Sequence, residues 1–190
     1  MTNPYTVPNL LTALRIALIP AIVVLFYLPQ PWADIACGLL FAVAGVTDSI
    51  DGYLARRLGQ VSPLGAFLDP VADKLIVATA LVLIVSRDPA WYVTLTAAVI
   101  IGREIAISAL REWMAEIGAR HKMKVSGIAK FKTIVQIVGL SMMLFRQDLF
   151  TLPIYRIGLA LTVLAAVLTL WTMVAYLRAA WPELRGIRQT

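Results

Sequence analysis

The stretch VTDSIDGYLARRLGQVSPLGAFLDPVADK, from Val46 to Lys74, places four aspartates, Asp48, Asp51, Asp69 and Asp73, in and beside strongly apolar sequence. A carboxylate in such surroundings is costly unless it is paired, bound to metal or turned toward water, so the four together point to a site. Asp48, Asp51, Gly52 and Ala55 follow i, i+3, i+4, i+7 spacing, which puts them on one face of a helix. Asp69 and Asp73 are one turn apart on the next helix. The short connection from Gly59 to Pro63 predicts two antiparallel neighbours with all four carboxylates at one end of the pair. Oxygen donors without histidine or cysteine suit Mg²⁺, Mn²⁺ or Ca²⁺ better than zinc or copper. Gly52 and Ala55 leave a path without bulk, either for close helix packing or for a diphosphate approaching the backbone.

The rest of the chain supplies the solvent for this cluster. Of 190 residues, 60% are hydrophobic and 15% charged, and mean hydropathy is +0.81. That balance lies far from a soluble domain and fits a bilayer. Apolar segments run over about residues 8–28, 33–57, 64–86, 91–112, 125–146 and 153–177, each near the length that crosses a hydrocarbon core. The expected fold is all-α, a polytopic membrane protein with six transmembrane helices forming a single domain over residues 1–190. The start of the chain lacks a basic region before its apolar run and reads as a retained span. Cys37 has no second cysteine to pair with.

Lysine and arginine are unevenly shared among the connections. Arg56 and Arg57, then Arg111, Arg120, Lys122 and Lys124, then Arg178, Arg185 and Arg188 fall on one side. On the other side Arg87 is offset by Asp88 and Arg146 by Asp148. The positive-inside rule therefore places both termini and the aspartate end in the cytoplasm, with the cell (inner) membrane as the location. A net charge of +6 spread over connections forms no nucleic-acid patch; it suits a membrane surface and an anionic substrate.

The pattern D48-x2-D51-G52-x2-A55-R56-x8-G65-x3-D69-x3-D73 resembles the signature of the CDP-alcohol phosphotransferase family. The likeness continues in VPNLLTALR, GAFLDPVADK, REIAISALREWMAE and AKFKT and covers nearly the whole chain. It implies a six-helix fold, a homodimer, and an active site near the cytoplasmic face that opens toward lipid. It also implies that CDP-diacylglycerol donates a phosphatidyl group to sn-glycerol 3-phosphate and that CMP leaves. Two divalent ions, Mg²⁺ or Mn²⁺, are expected on Asp48, Asp51, Asp69 and Asp73, with Asp73 as the catalytic base.

Within this frame, Asp48, Asp51, Gly52, Ala55, Arg56 and Gly65 are expected to hold the donor, with Asn9 and Thr12 near the cytidine; helix capping competes for the last two. The acceptor's phosphate needs fixed cations, and Arg103, Arg111, Lys130 and Lys132 are the candidates. Competing readings are an ion pair of Arg103 with Glu104, an interfacial Arg111, and lysines that meet lipid headgroups. Other acceptors, inositol phosphate, serine or phosphatidylglycerol, keep the same chemistry. A divalent-cation transporter is a different class, but it predicts carboxylates spread through the bilayer depth and repeated halves. A noncatalytic scaffold gives four converging aspartates no purpose.

Overall fold

In a computed structural model of the chain, the backbone is described for residues 7–58, 63–119 and 127–186, and side-chain surroundings for 10–47, 65, 67–119 and 131–186. The described residues form six helices: α1 Val7–Tyr27, α2 Pro31–Leu58, α3 Pro63–Arg87, α4 Trp91–Glu116, α5 Gly127–Phe145 and α6 Ile154–Leu184. Each segment expected from hydropathy is helical over all but the ends of its described residues. α4 and α6 continue beyond their expected ends at 112 and 177, because helix formation does not stop where the apolar run stops. The stretches Leu10–Tyr27, Trp91–Glu116 and Ile154–Leu184 are long and apolar enough to cross a membrane, and Pro31–Thr47 and Phe131–Phe145 are shorter apolar stretches.

The main apolar core shows how the helices run. It takes Ile22 and Phe26 from the later half of α1, Ile76, Leu83 and Ile84 from that of α3, and Leu140, Met143 and Leu144 from that of α5. From α2 and α4 it takes the earlier halves, including Cys37, Phe41, Val93 and Ile100. Consecutive helices therefore alternate in direction, as short connections require. A smaller apolar cluster of Ile107, Met114, Ala119, Tyr176 and Ala180 ties α4 to α6 near the other end.

α5 packs most closely on α6. A Cβ built on Gly139 would lie 2.9 Å from the Gly158 carbonyl oxygen, and one on Gly158 would lie 2.7 Å from that of Gly139. Only glycine at both positions allows the two backbones to meet, the device by which helices associate where burial from water gives no drive.

One expectation changes. α2 and α3 make few contacts with each other among the described residues, whereas α1 packs extensively on both. A short connection fixes only the two ends that it joins. Farther along, the apolar faces decide the neighbour. Arg87 pairs with Asp34 at 2.6 Å, not with Asp88, and Arg146 has no ion pair among the described residues.

Candidate functional site

The end of the bundle away from the main core collects the expected site residues. The α2 backbone carries Asp48, Asp51, Gly52, Ala55 and Arg56 as helix, and the same holds for Asn9 in α1 and Lys130 in α5. The side chains of these seven lie outside the described residues. Gly65 is buried in the first turn of α3, and Asp69 and Asp73 follow it on the same helix, both half-buried.

Thr12 lies one to two turns into α1 and is fully buried, with its hydroxyl donating a short hydrogen bond to Asp69 Oδ1. The hydroxyl expected near the cytidine thus also orients a carboxylate of the cluster. Arg15, three residues later, is 1% exposed. Sequence reading passed over Arg15. An arginine inside an apolar run, on the face of Thr12, is the signal that was there to find.

Across the bundle, α4, α5 and α6 assemble a second group. Arg103 on α4 is 6% exposed; its Nη1 donates to Glu104 Oε2 at 2.9 Å and its Nη2 to Thr172 Oγ1 at 3.3 Å. Its Nε is buried and has no hydrogen-bond partner among the described residues. Arg111, two turns on and exposed, donates to the Tyr176 hydroxyl at 3.2 Å and lies 5.2 Å from the centre of that ring. Lys132 on α5 is also 6% exposed and donates to Thr169 Oγ1 at 3.4 Å. It lies within electrostatic range of Arg103, Arg111, Glu104 and Asp73. The ion pair foreseen for Arg103 with Glu104 is present, and it leaves most of the guanidinium's donors for other partners.

Thr169, Thr172 and Tyr176 recur at intervals of three and four along α6, which puts them on one face. All three are buried. They were not foreseen as site residues, although polar side chains at helical spacing in TLWTMVAY stand out in an apolar span. Each holds a cation through a neutral oxygen, and of these cations Arg103 also meets the Glu104 carboxylate. Lys132, buried and without an ion pair among the described residues, carries a charge that is unfavourable there until an anion arrives. Among the described residues no group of three histidine, cysteine, aspartate or glutamate side chains is close enough to hold a metal ion. The aspartate quartet itself extends beyond those residues.

Two comparisons bear on this arrangement. Residues 5–174 match the family model described as CDP-alcohol phosphatidyltransferase. The CDP-diacylglycerol–glycerol-3-phosphate 3-phosphatidyltransferases of Shigella flexneri serotype 5b and of Escherichia coli K12 are each 52% identical to the chain over 180 residues, covering 95% of it and 97% of the relative.

Proposed function

The chain belongs to the CDP-alcohol phosphatidyltransferase family, and we propose that it transfers the phosphatidyl group of CDP-diacylglycerol to sn-glycerol 3-phosphate, giving phosphatidylglycerophosphate and CMP. The observation that supports the choice of acceptor is the α4–α5–α6 group, where Arg103, Arg111 and Lys132 each donate to a neutral hydroxyl, Arg103 also pairs with Glu104, and Lys132 lies within electrostatic range of Asp73. An acceptor that bears its own phosphate suits such a group; serine does not. We extend the reading to a single six-span domain with the site and both termini on the cytoplasmic side of the inner membrane, working as a homodimer.

In the reaction, an acceptor hydroxyl oxygen bonds to the phosphorus that carries diacylglycerol, and the bond from that phosphorus to the CMP oxygen breaks. Asp73 takes the hydroxyl proton, and CMP departs with the electron pair. Arg103, Arg111 and Lys132, with Lys130 beside them, hold the acceptor's phosphate so that its hydroxyl faces the donor. Arg56, Gly52 and Ala55 shape the path of the donor diphosphate, with Gly65 and Asn9 at its edges. Thr12 fixes the rotamer of Asp69. The carboxylates Asp48, Asp51, Asp69 and Asp73 are hard oxygen donors suited to Mg²⁺ or Mn²⁺ and would hold two ions. Such ions, when bound, reduce repulsion between the phosphates and stabilise the departing CMP.

The test is to incubate purified protein with CDP-diacylglycerol, Mg²⁺ or Mn²⁺ and a panel of acceptors, and to identify the lipid products by mass spectrometry. Phosphatidylglycerophosphate should form with glycerol 3-phosphate alone, and chelation should stop it. Asp73→Asn should lower turnover by about 10³-fold or more while donor binding persists, the scale of a lost general base. Absence of CMP release with every acceptor would end the enzyme reading.

A further inference from the structure

The later ends of α1, α3 and α5 and the start of α6 enclose a cavity of about 370 Å³. It lies far from the aspartates: Asp73 and Arg87 are fourteen residues apart on α3, about 21 Å along a helix axis. Its walls are divided. Phe26, Ile84 and Met143 form an apolar side, and Arg87, Asp88, Arg146 and Tyr155 a polar one.

Most of the polar groups are already engaged. Arg87 donates to Asp34 and to the Phe26 carbonyl, and its guanidinium lies 3.8 Å from the centre of the Phe26 ring. Asp88 accepts from the Tyr155 hydroxyl at 2.5 Å and from the Ala90 amide at 3.3 Å. Arg146 differs from both, since among the described residues its side chain has no hydrogen bond and no ion pair. Its backbone is also in the left-handed region, with φ of 57°, directly after the last residue of α5. Glycine or asparagine is the usual residue at that place, so an arginine there holds strain that folding alone does not call for.

The connection that follows is apolar at its tip. Leu149 and Leu152 exchange backbone hydrogen bonds to close a tight turn, with exposures of 50% and 53%, and Phe150 at the tip is 95% exposed and has φ of 58°. A rigid turn that shows three large apolar side chains beside an unpaired cation matches the boundary between lipid headgroups and acyl chains.

We propose that this cavity takes the phosphate-bearing head of a phospholipid from the leaflet opposite the catalytic end. Arg146 contacts the phosphate, the Phe26, Ile84 and Met143 wall takes the start of the acyl chains, and Phe150 anchors the turn in the interface. The inference rests on the reading that the bundle spans a membrane. It is independent of the reaction.

Native mass spectrometry from mild detergent tests it, with phosphatidylglycerol as the probe and neither nucleotide nor acceptor present. Wild-type protein should retain a phosphatidylglycerol that Arg146→Asn binds about tenfold more weakly, the factor set by losing one charge-assisted contact. Asparagine tolerates the left-handed backbone, so the variant should melt like the wild type. Arg146→Lys should restore most of the binding, and Phe150→Ala should weaken it independently of the arginine. Equal retention by wild type and Arg146→Asn overturns the proposal. Displacement of the lipid by millimolar inorganic phosphate also overturns it, since the site would then take a soluble anion. Because no turnover is read, failure here leaves the proposed reaction standing, and failure of the CMP assay leaves this site standing.

Discussion

Two regions of this bundle use the same residue types to opposite ends. At the end away from the aspartates, Arg87 meets Asp34 at 2.6 Å, a backbone carbonyl and an aromatic face. Its charge is spent within the fold. At the aspartate end, Arg103, Arg111 and Lys132 rest on Thr172, Tyr176 and Thr169, and among the described residues only Arg103 of the three touches a carboxylate, that of Glu104, which is itself 41% exposed. The difference is in the partner, not in the cation. Arg87 is matched by a carboxylate within the fold, whereas Arg111 and Lys132 rest on neutral oxygens and keep charge that an anion could meet.

The sharpest way to break this contrast is Arg103→Gln. The variant keeps bulk and hydrogen bonding but loses charge, and kcat/KM for glycerol 3-phosphate should fall by roughly 100-fold, the worth of about 2–3 kcal/mol of charge-assisted contact. An unchanged value would make Arg103 no more than a second Arg87. At the other end, Asp34→Asn should lower stability by about 1–2 kcal/mol, because the pair is partly open to solvent, with side chains 27% and 20% exposed. Thermal unfolding in detergent would read that loss, and the KM for glycerol 3-phosphate should not move. A shift in KM would show that the two ends are coupled. The smallest effect is expected of Thr172→Val, which removes a positioning oxygen and keeps the shape. KM for glycerol 3-phosphate should rise about fivefold with little change in melting temperature, as for one neutral hydrogen bond. Loss of stability without a change in KM would make the α6 hydroxyls mere packing.

How much of this was legible from the residues varies from place to place. The helices were, because apolar runs of bilayer length bounded by proline and glycine leave little else to form. Asp69 and Asp73 were legible as a pair, since i, i+4 spacing is a property of the helix alone. Arg103 was flagged by the cost of its charge in an apolar span. The α6 hydroxyls were not. Threonine is common in such helices, and its importance here comes from facing Arg103 and Lys132, which lie 69 and 37 residues away in sequence. Thr12 shows the same limit. Its partner, Asp69, is 57 residues distant, and α1 sits against both α2 and α3.

By itself, then, the sequence determined the solvent, the helices, the one-face spacing of the carboxylates and the residues whose charge needed an explanation. These follow from local periodicity and from transfer energies, which act on each segment alone. Only the tertiary structure decided most partners of the charges: Asp34 for Arg87, Thr172 beside the foreseen Glu104 for Arg103, Thr12 for Asp69 and, among the described residues, none for Arg146. Partnership depends on which helices are neighbours and how each is rotated about its axis. Both are set by contacts such as Gly139 against Gly158, which join residues remote in the chain and leave no periodic trace within either segment.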